Sequence, residues 1–196
     1  MGKPRLTIRT ATLNDLPALH RIAERSVWEL LASHYTQRQM EAARAVQGYN
    51  VEAELVEDGT YYVLEVGGVL VGGSGWSDRD GFHPRFPSNA DVPVSSLHSP
   101  TDAAVMRASY VDPDWARRGF GTLLARTTET AATVAGFRRF EALCTPASEA
   151  LRRKLGYRVL ERHELPLTGG VSMSMAHMRK ELPIAWVLTV AQDRSA

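Results

Sequence analysis

The stretch Tyr110-Val111-Asp112-Pro113-Asp114-Trp115-Ala116-Arg117-Arg118-Gly119-Phe120-Gly121-Thr122-Leu123-Leu124 decides the fold. A β-type run over residues 105–111 stops at Pro113 and passes through a basic turn into a helix that opens on Gly119-Phe120-Gly121. The first turn of a helix leaves backbone N–H groups without intrahelical partners and carries a partial positive charge, so it attracts anions. Gly119 and Gly121 have no side chain to hold a pyrophosphate away from those donors. Arg117 and Arg118 add charged donors suited to phosphate. The segment therefore predicts a cradle for a nucleotide-containing cofactor. The alternative is an ordinary strand-to-helix turn on a basic surface.

Two other phosphate loops fit poorly. A P-loop needs Gly-Lys-Ser/Thr, and neither Gly119 nor Gly121 is followed by Lys. A dinucleotide fingerprint needs a third Gly where this chain has Leu124, and it normally opens a fold rather than sitting past mid-chain.

Outward from this point, residues 6–10 read as a short first strand, with Leu6 and Ile8 alternating against polar neighbours. Asn14 or Asp15 can cap a helix whose first turn accepts Pro17. Leu19, Ile22, Ala23, Leu30 and Leu31 give that helix an apolar face, and a second helical segment follows at about 36–46. Residues 61–66 and 69–77 are strand-like runs joined by Gly67-Gly68, a strong hairpin signal. Residues 81–100, rich in Pro, Ser and Asp, read as a long loop able to cover the acceptor side or meet a second subunit.

After the strand at 105–111 comes a helix over 121–135, with Leu123, Leu124 and Val134 on its apolar side and Gly136 at its C-terminal end. A strand over 139–144, a short helix over 147–155 ending at Gly156, and a final hairpin (157–165, 171–181) around Gly169-Gly170 complete the pattern. The order β-α-α-β-β-loop-β-α-β-α-β-β predicts an α/β (α+β) fold, a mixed central sheet with helices on both faces.

The motif at 116–121 resembles the acyl-CoA-binding motif of the GCN5-related N-acetyltransferases (GNAT), written Gln/Arg-x-x-Gly-x-Gly/Ala. Ala116 falls in the Gln/Arg slot, a departure. Many bacterial members resemble this chain in reading Asp-Pro-x-x-Ala-Arg-Arg-Gly-x-Gly, and the slot contributes largely a backbone N–H, which alanine retains. The step Leu155-Gly156-Tyr157 is similar to that family's Leu-Gly-Phe, and the resemblance spans roughly residues 6–182.

The resemblance implies acetyl-CoA as co-substrate and a splay between two central parallel strands, here 108–111 and 139–144, that admits the pantetheine arm. It implies that the Tyr110 and Val111 backbone holds the thioester, with Ala116, Arg117, Arg118, Gly119, Phe120, Gly121 and Thr122 over the pyrophosphate. Acetyl transfer to an amine also needs a base for the ammonium and an acid for the departing thiolate. Many relatives carry a Tyr acid four residues before the Gly of Leu-Gly-Phe, where this chain has Arg152. A guanidinium does not donate its proton; Arg152 could still stabilise a thiolate electrostatically or contact CoA phosphate, but beside Arg153 and Lys154 it reads rather as a solvated helix-face residue. Ser148, one turn earlier, is the candidate proton donor, and Glu141, flanking the splay, the candidate base. Tyr157 reads as a core aromatic.

Composition sets the limits around this reading. A chain of 196 residues suits a single domain over 1–196, with a core at about 5–182 and a C-terminal extension at 183–196. Net charge is +1, so there is no general drive toward nucleic acid or membrane. The apolar stretch at 184–191 is too short to cross a bilayer. The polar N-terminus shows no signal peptide, and Leu6 breaks the myristoylation pattern that Gly2 would open. Cys144 is the single cysteine, which suits a reducing cytoplasm. The histidines show no metal-ligand spacing, so no metal is expected.

The expected activity is direct N-acetyl transfer from acetyl-CoA to a small-molecule or peptide amine, by a monomer or homodimer. A non-catalytic acyl-CoA-binding or sensing domain and a dinucleotide oxidoreductase are the competing readings.

Overall fold

Gly67 and Gly68, at φ of 60° and 83°, turn the chain between β2 (Tyr61–Val66) and β3 (Val69–Ser77). Two successive left-handed residues are what a two-residue hairpin of matching twist requires, and glycine takes them without strain. The structure is a computed structural model that describes residues 4–45, 50–78 and 103–183. Its remaining strands are β1 (Leu6–Thr10), β4 (Ala103–Val111), β5 (Arg139–Cys144), β6 (Arg158–Pro166) and β7 (Ser172–Glu181). They form one sheet in the order β1-β2-β3-β4-β5-β7-β6. Every pairing is antiparallel except β4 with β5. That parallel pair needs a long crossover, supplied by α4 (Phe120–Val134).

Helices cover both faces, as the pattern predicted. On one face Leu64, Val66 and Val71 pack on Leu124 of α4. On the other, Tyr61 and Val63 pack with Leu19 of α1 (Leu16–Leu30). Strand alternation sends 61 and 63 one way and 64 and 66 the other. Also present are α2 (Gln37–Ala45), α3 (Ala53–Glu57) and α5 (Pro146–Lys154). The short α3 is absent from the sequence reading. It is five residues long, too short to show a helical period.

Two expected apolar faces are shifted. The buried residues of α4 are Leu124, Ala125, Thr128, Glu129 and Ala132, while Val134 is exposed. Small side chains at 125 and 132 let α4 lie close to the sheet, and the Thr128 hydroxyl satisfies itself on Leu124 and Ala125 carbonyls. In α1 the inward stripe runs through Ser26 and Val27, and Leu30 is turned toward solvent. The loop expected at 81–100 and the extension beyond Pro183 lie outside the described residues. Among the described residues no helix is long and apolar enough to cross a membrane.

Candidate functional site

β4 and β5 stay in register from Ala103↔Arg139 to Met106↔Ala142, and there the pairing ends. The cause lies on the other edge of β4. Gly75 pairs with Arg107 and Gly73 with Tyr110, so Ser74 alone faces both Ala108 and Ser109. This is a β-bulge, which bends its strand. Ala108 adopts φ 47°, a region that costs a residue with a Cβ. Tyr61 holds it there by donating its hydroxyl to the Ala108 carbonyl at 2.7 Å. The Tyr61 ring fits because Gly73 and Gly75 are glycines; a Cβ would come within 2.5 and 2.6 Å of it. The expected splay is therefore present, with a physical origin in a tyrosine and two glycines.

Where the strands part, a cavity of about 320 Å³ opens between Ser109–Val111 on one wall and Leu143–Cys144 on the other. Gly121 of α4, Ser148 and Arg152 of α5 and Leu31 at the end of α1 complete its lining.

Beyond β4, Asp112 caps the short Pro113–Trp115 turn, accepting the Asp114 N–H at 3.0 Å. Arg25 of α1 pairs with Asp112 at 2.8 Å and Asp114 at 3.2 Å, drawing their charge away from the basic turn. Arg117 (φ 63°) and Gly119 (φ 86°) then reverse the chain into α4. The first bond of the α4 ladder runs from Leu123 N–H to the Gly119 carbonyl at 3.0 Å. The N–H groups of Phe120, Gly121 and Thr122 thus precede the helix ladder and remain available to an anion. Arg117 has no ion-pair partner among the described residues. Arg118 lies over the Trp115 ring, 4.8 Å from its centre, and Trp115 stacks on Phe120. A Cβ on Gly121 would sit 3.4 Å from Leu151. Of the residues predicted for the cofactor, Tyr110, Val111 and Gly121 line the cavity, and Ala116, Arg117, Arg118, Gly119, Phe120 and Thr122 form the turn beside it.

Ser148 lines the same cavity in the first turn of α5. Its hydroxyl donates to the Thr145 carbonyl at 3.0 Å and lies 3.1 Å from the Thr145 hydroxyl. Arg152, one turn later, is the clear correction. It is only 4% exposed and faces inward rather than into solvent. Its partners are the Tyr157 hydroxyl and the Ser109 hydroxyl, each at 3.4 Å, and Glu129 at 3.8 Å. Tyr157 is buried, as its aromatic slot implied, and burial pushes its phenol far above the ordinary value.

Glu141 has no exposed surface and does not line the cavity. It accepts from Arg179 at 2.7 Å and is bonded to His177 Nε2 at 3.0 Å. Burial pushes its carboxyl up, yet the bonds from His177 and Arg179 together outweigh burial and hold it below the usual range. His177 pairs with Leu143, a cavity residue, across β5 and β7. The sequence reading missed it, although strand alternation puts 175, 177 and 179 on one face with Glu141. Among the described residues no group of His, Cys, Asp and Glu side chains is placed to hold a metal ion.

The chain belongs to the acetyltransferase (GNAT) family, whose model matches residues 24–157. A GCN5-related N-acetyltransferase from Rhodopseudomonas palustris has a similar structure at 22% identity and TM-score 0.64, covering 93% of this chain and 98% of that one. The putative acetyltransferase yncA of Salmonella typhimurium, solved with acetyl-CoA, is 20% identical at TM-score 0.59, covering 91% and 95%. A phosphinothricin acetyltransferase of Sinorhizobium meliloti, in complex with acetyl-CoA, is 22% identical at TM-score 0.60, covering 90% and 88%. These likenesses establish the shared fold. No curated protein matches the chain.

Proposed function

We propose that the protein transfers an acetyl group from acetyl-CoA directly to the amine of a small-molecule or peptide acceptor. The observation that carries this is the splay itself: unpaired strand edges open onto a cavity also lined by Gly121 in the first turn of α4, the helix into which the basic turn leads. An extended arm with an amide backbone can pair with such an edge, and a pyrophosphate can accept from the N–H groups of residues 119–122. Membership of the family and the acetyl-CoA in two solved relatives support the same ligand.

In this reading the Tyr110 and Val111 backbone holds the thioester, while Ala116 to Thr122 hold the pyrophosphate. Glu141 serves the base through His177, because the carboxylate is enclosed and the imidazole lies next to Leu143. An imidazole fixed by a buried carboxylate is a standard base arrangement. Ser148 supplies a hydroxyl beside the departing sulfur. The reading carries a cytoplasmic location and admits a homodimer, which light scattering would test.

The experiment is thiol release from acetyl-CoA across an amine panel, with products identified by mass spectrometry. Amine-dependent release is expected, with a mass gain of one acetyl group on the acceptor. CoA binding without release across the whole panel would give the non-catalytic reading instead.

A further inference from the structure

Behind the splay, three charged side chains from three elements meet away from solvent: Glu129 of α4, Arg152 of α5 and Lys180 of β7. Their distances are unequal. Lys180 Nζ takes Glu129 Oε2 at 2.5 Å, while Arg152 Nη1 stands 3.8 Å from Glu129 Oε1. Lysine thus captures the shared carboxylate and leaves arginine under-compensated. The other Arg152 bonds, to the Ser109 and Tyr157 hydroxyls, are each 3.4 Å, beyond the usual range for N–H donors. Ser109 is itself engaged by Ser74 at 2.5 Å. A guanidinium has five donors, and this one lines the cavity while being 4% exposed. One net positive charge is therefore held out of water against the wall where β4 and β5 part.

We propose that Arg152 is a thiolate-binding residue, which stabilises the CoA sulfur as it leaves and takes over electrostatically what a tyrosine acid does by proton donation. The inference rests on the acetyl-CoA reading of the cavity. The acceptor nitrogen forms a bond to the acetyl carbon, the carbon–sulfur bond breaks, and its electron pair stays on sulfur as a thiolate. The ammonium gives one proton to the base before attack, and the second proton that the nitrogen loses as the amide forms reaches the thiolate by way of Ser148 or water. No oxidant or further reactant is needed. A positive charge fixed in a dry site lowers the energy of a developing anion without reorganising. A sulfur in this cavity already feels the field: burial pushes the Cys144 thiol up, and the Arg152 charge acts in the opposite direction.

The other charged groups nearby do not cancel the effect. Glu149 acts against it at the Cys144 thiol, but less strongly than Arg152, and its charge is tied to Arg153 at 2.8 Å and Arg162 at 2.9 Å. Tyr157 stays a neutral phenol, with the Arg152 guanidinium 5.1 Å above its ring. Lys180 lies 5.8 Å from the same ring and adds to the positive field.

The test is a pH titration of the ultraviolet thiolate band of CoA bound to the whole protein, with the apo-protein titration subtracted. Calorimetry first establishes that CoA binds; failure there sinks the acetyl-CoA reading and not this assignment alone. With CoA bound, burial should push its thiol up while Arg152 holds it down, so Arg152→Gln should raise the titration by roughly 1–3 pH units, the range for losing an opposite charge within a few ångströms. That variant leaves Glu129 with Lys180, so no carboxylate is stranded. Glu129→Gln should move the titration down, because it removes the carboxylate that offsets the two cations. A titration that Glu129→Gln leaves unchanged overturns the proposal even if Arg152→Gln fails to fold. So does an unchanged titration in folded Arg152→Gln.

Discussion

Glu141 keeps its charge in the interior because two cationic or proton-donating partners reach it, and that makes its contribution depend on pH. Its folded carboxyl titrates below the ordinary value because the bonds from His177 and Arg179 outweigh burial. A depressed carboxyl adds stability that is fully present above the unfolded value of about 4.3 and is lost as pH falls through the folded value. Glu141→Gln should therefore cost about 3 kcal/mol near neutrality, the lower end for breaking a buried pair. The gap between wild-type and variant denaturation midpoints should shrink below about pH 4. A gap that stays constant into strong acid would mean the carboxyl is not depressed. At this scale the sequence was legible for backbone-like roles and opaque for charges. Glycines and arginines at 117–121 announce by type alone a basic turn into a helix, and that turn is present. Arg152, between Leu151 and Arg153, looks like surface until the helix is phased: Ser148, Leu151, Arg152 and Leu155 follow i, i+3, i+4, i+7, the inward stripe of α5.

Elements gain their function here by being slightly irregular. The bulge in β4 exists because Tyr61 on β2 reaches across β3, over Gly73 and Gly75, to the Ala108 carbonyl. Tyr61→Phe should cost about 1 kcal/mol, the net value of one hydrogen bond, and should raise the KM for acetyl-CoA more than it changes folding. Gly73→Ala is harsher, since its Cβ would lie 2.5 Å from the Tyr61 ring. Overpacking of this kind costs about 1–3 kcal/mol. Equal acetyl-CoA KM in wild type and Tyr61→Phe would separate the bulge from the cofactor. Neither effect is readable from a strand pattern, because alternation specifies which face a residue takes and not which cross-strand ring it must clear. The hairpin at Gly67-Gly68 was readable, since its turn chemistry is local. Arg25 is a second such link: it joins α1 to Asp112 and Asp114 beside the basic turn. Arg25→Ala should weaken CoA binding by releasing two negative charges there, with a loss that fades as salt rises; calorimetry at two ionic strengths reads it.

At the scale of the molecule, the cavity is where five elements converge: α1, α4, α5 and the parted strands β4 and β5. A ligand filling it bridges parts that otherwise touch only through the sheet, so binding should stabilise the fold as a unit. A ligand at about 100 times its dissociation constant adds roughly 2.7 kcal/mol. For a chain of this size each kcal/mol moves the melting midpoint by roughly 2–4 °C. CoA at that level should therefore raise the midpoint by roughly 5–10 °C. Gly121→Asp tests whether the start of α4 is the anchor. The position has room for a Cβ, 3.4 Å from Leu151 and 3.9 Å from Val111, so the apo fold should survive with a small cost. Its carboxylate, however, would stand at the helix start where the pyrophosphate must accept from backbone N–H groups. The variant should melt close to the wild type without CoA and show no rise when CoA is added. A folded Gly121→Asp protein with the full rise would place the phosphates elsewhere, and with them the direction in which the pantetheine arm enters the splay.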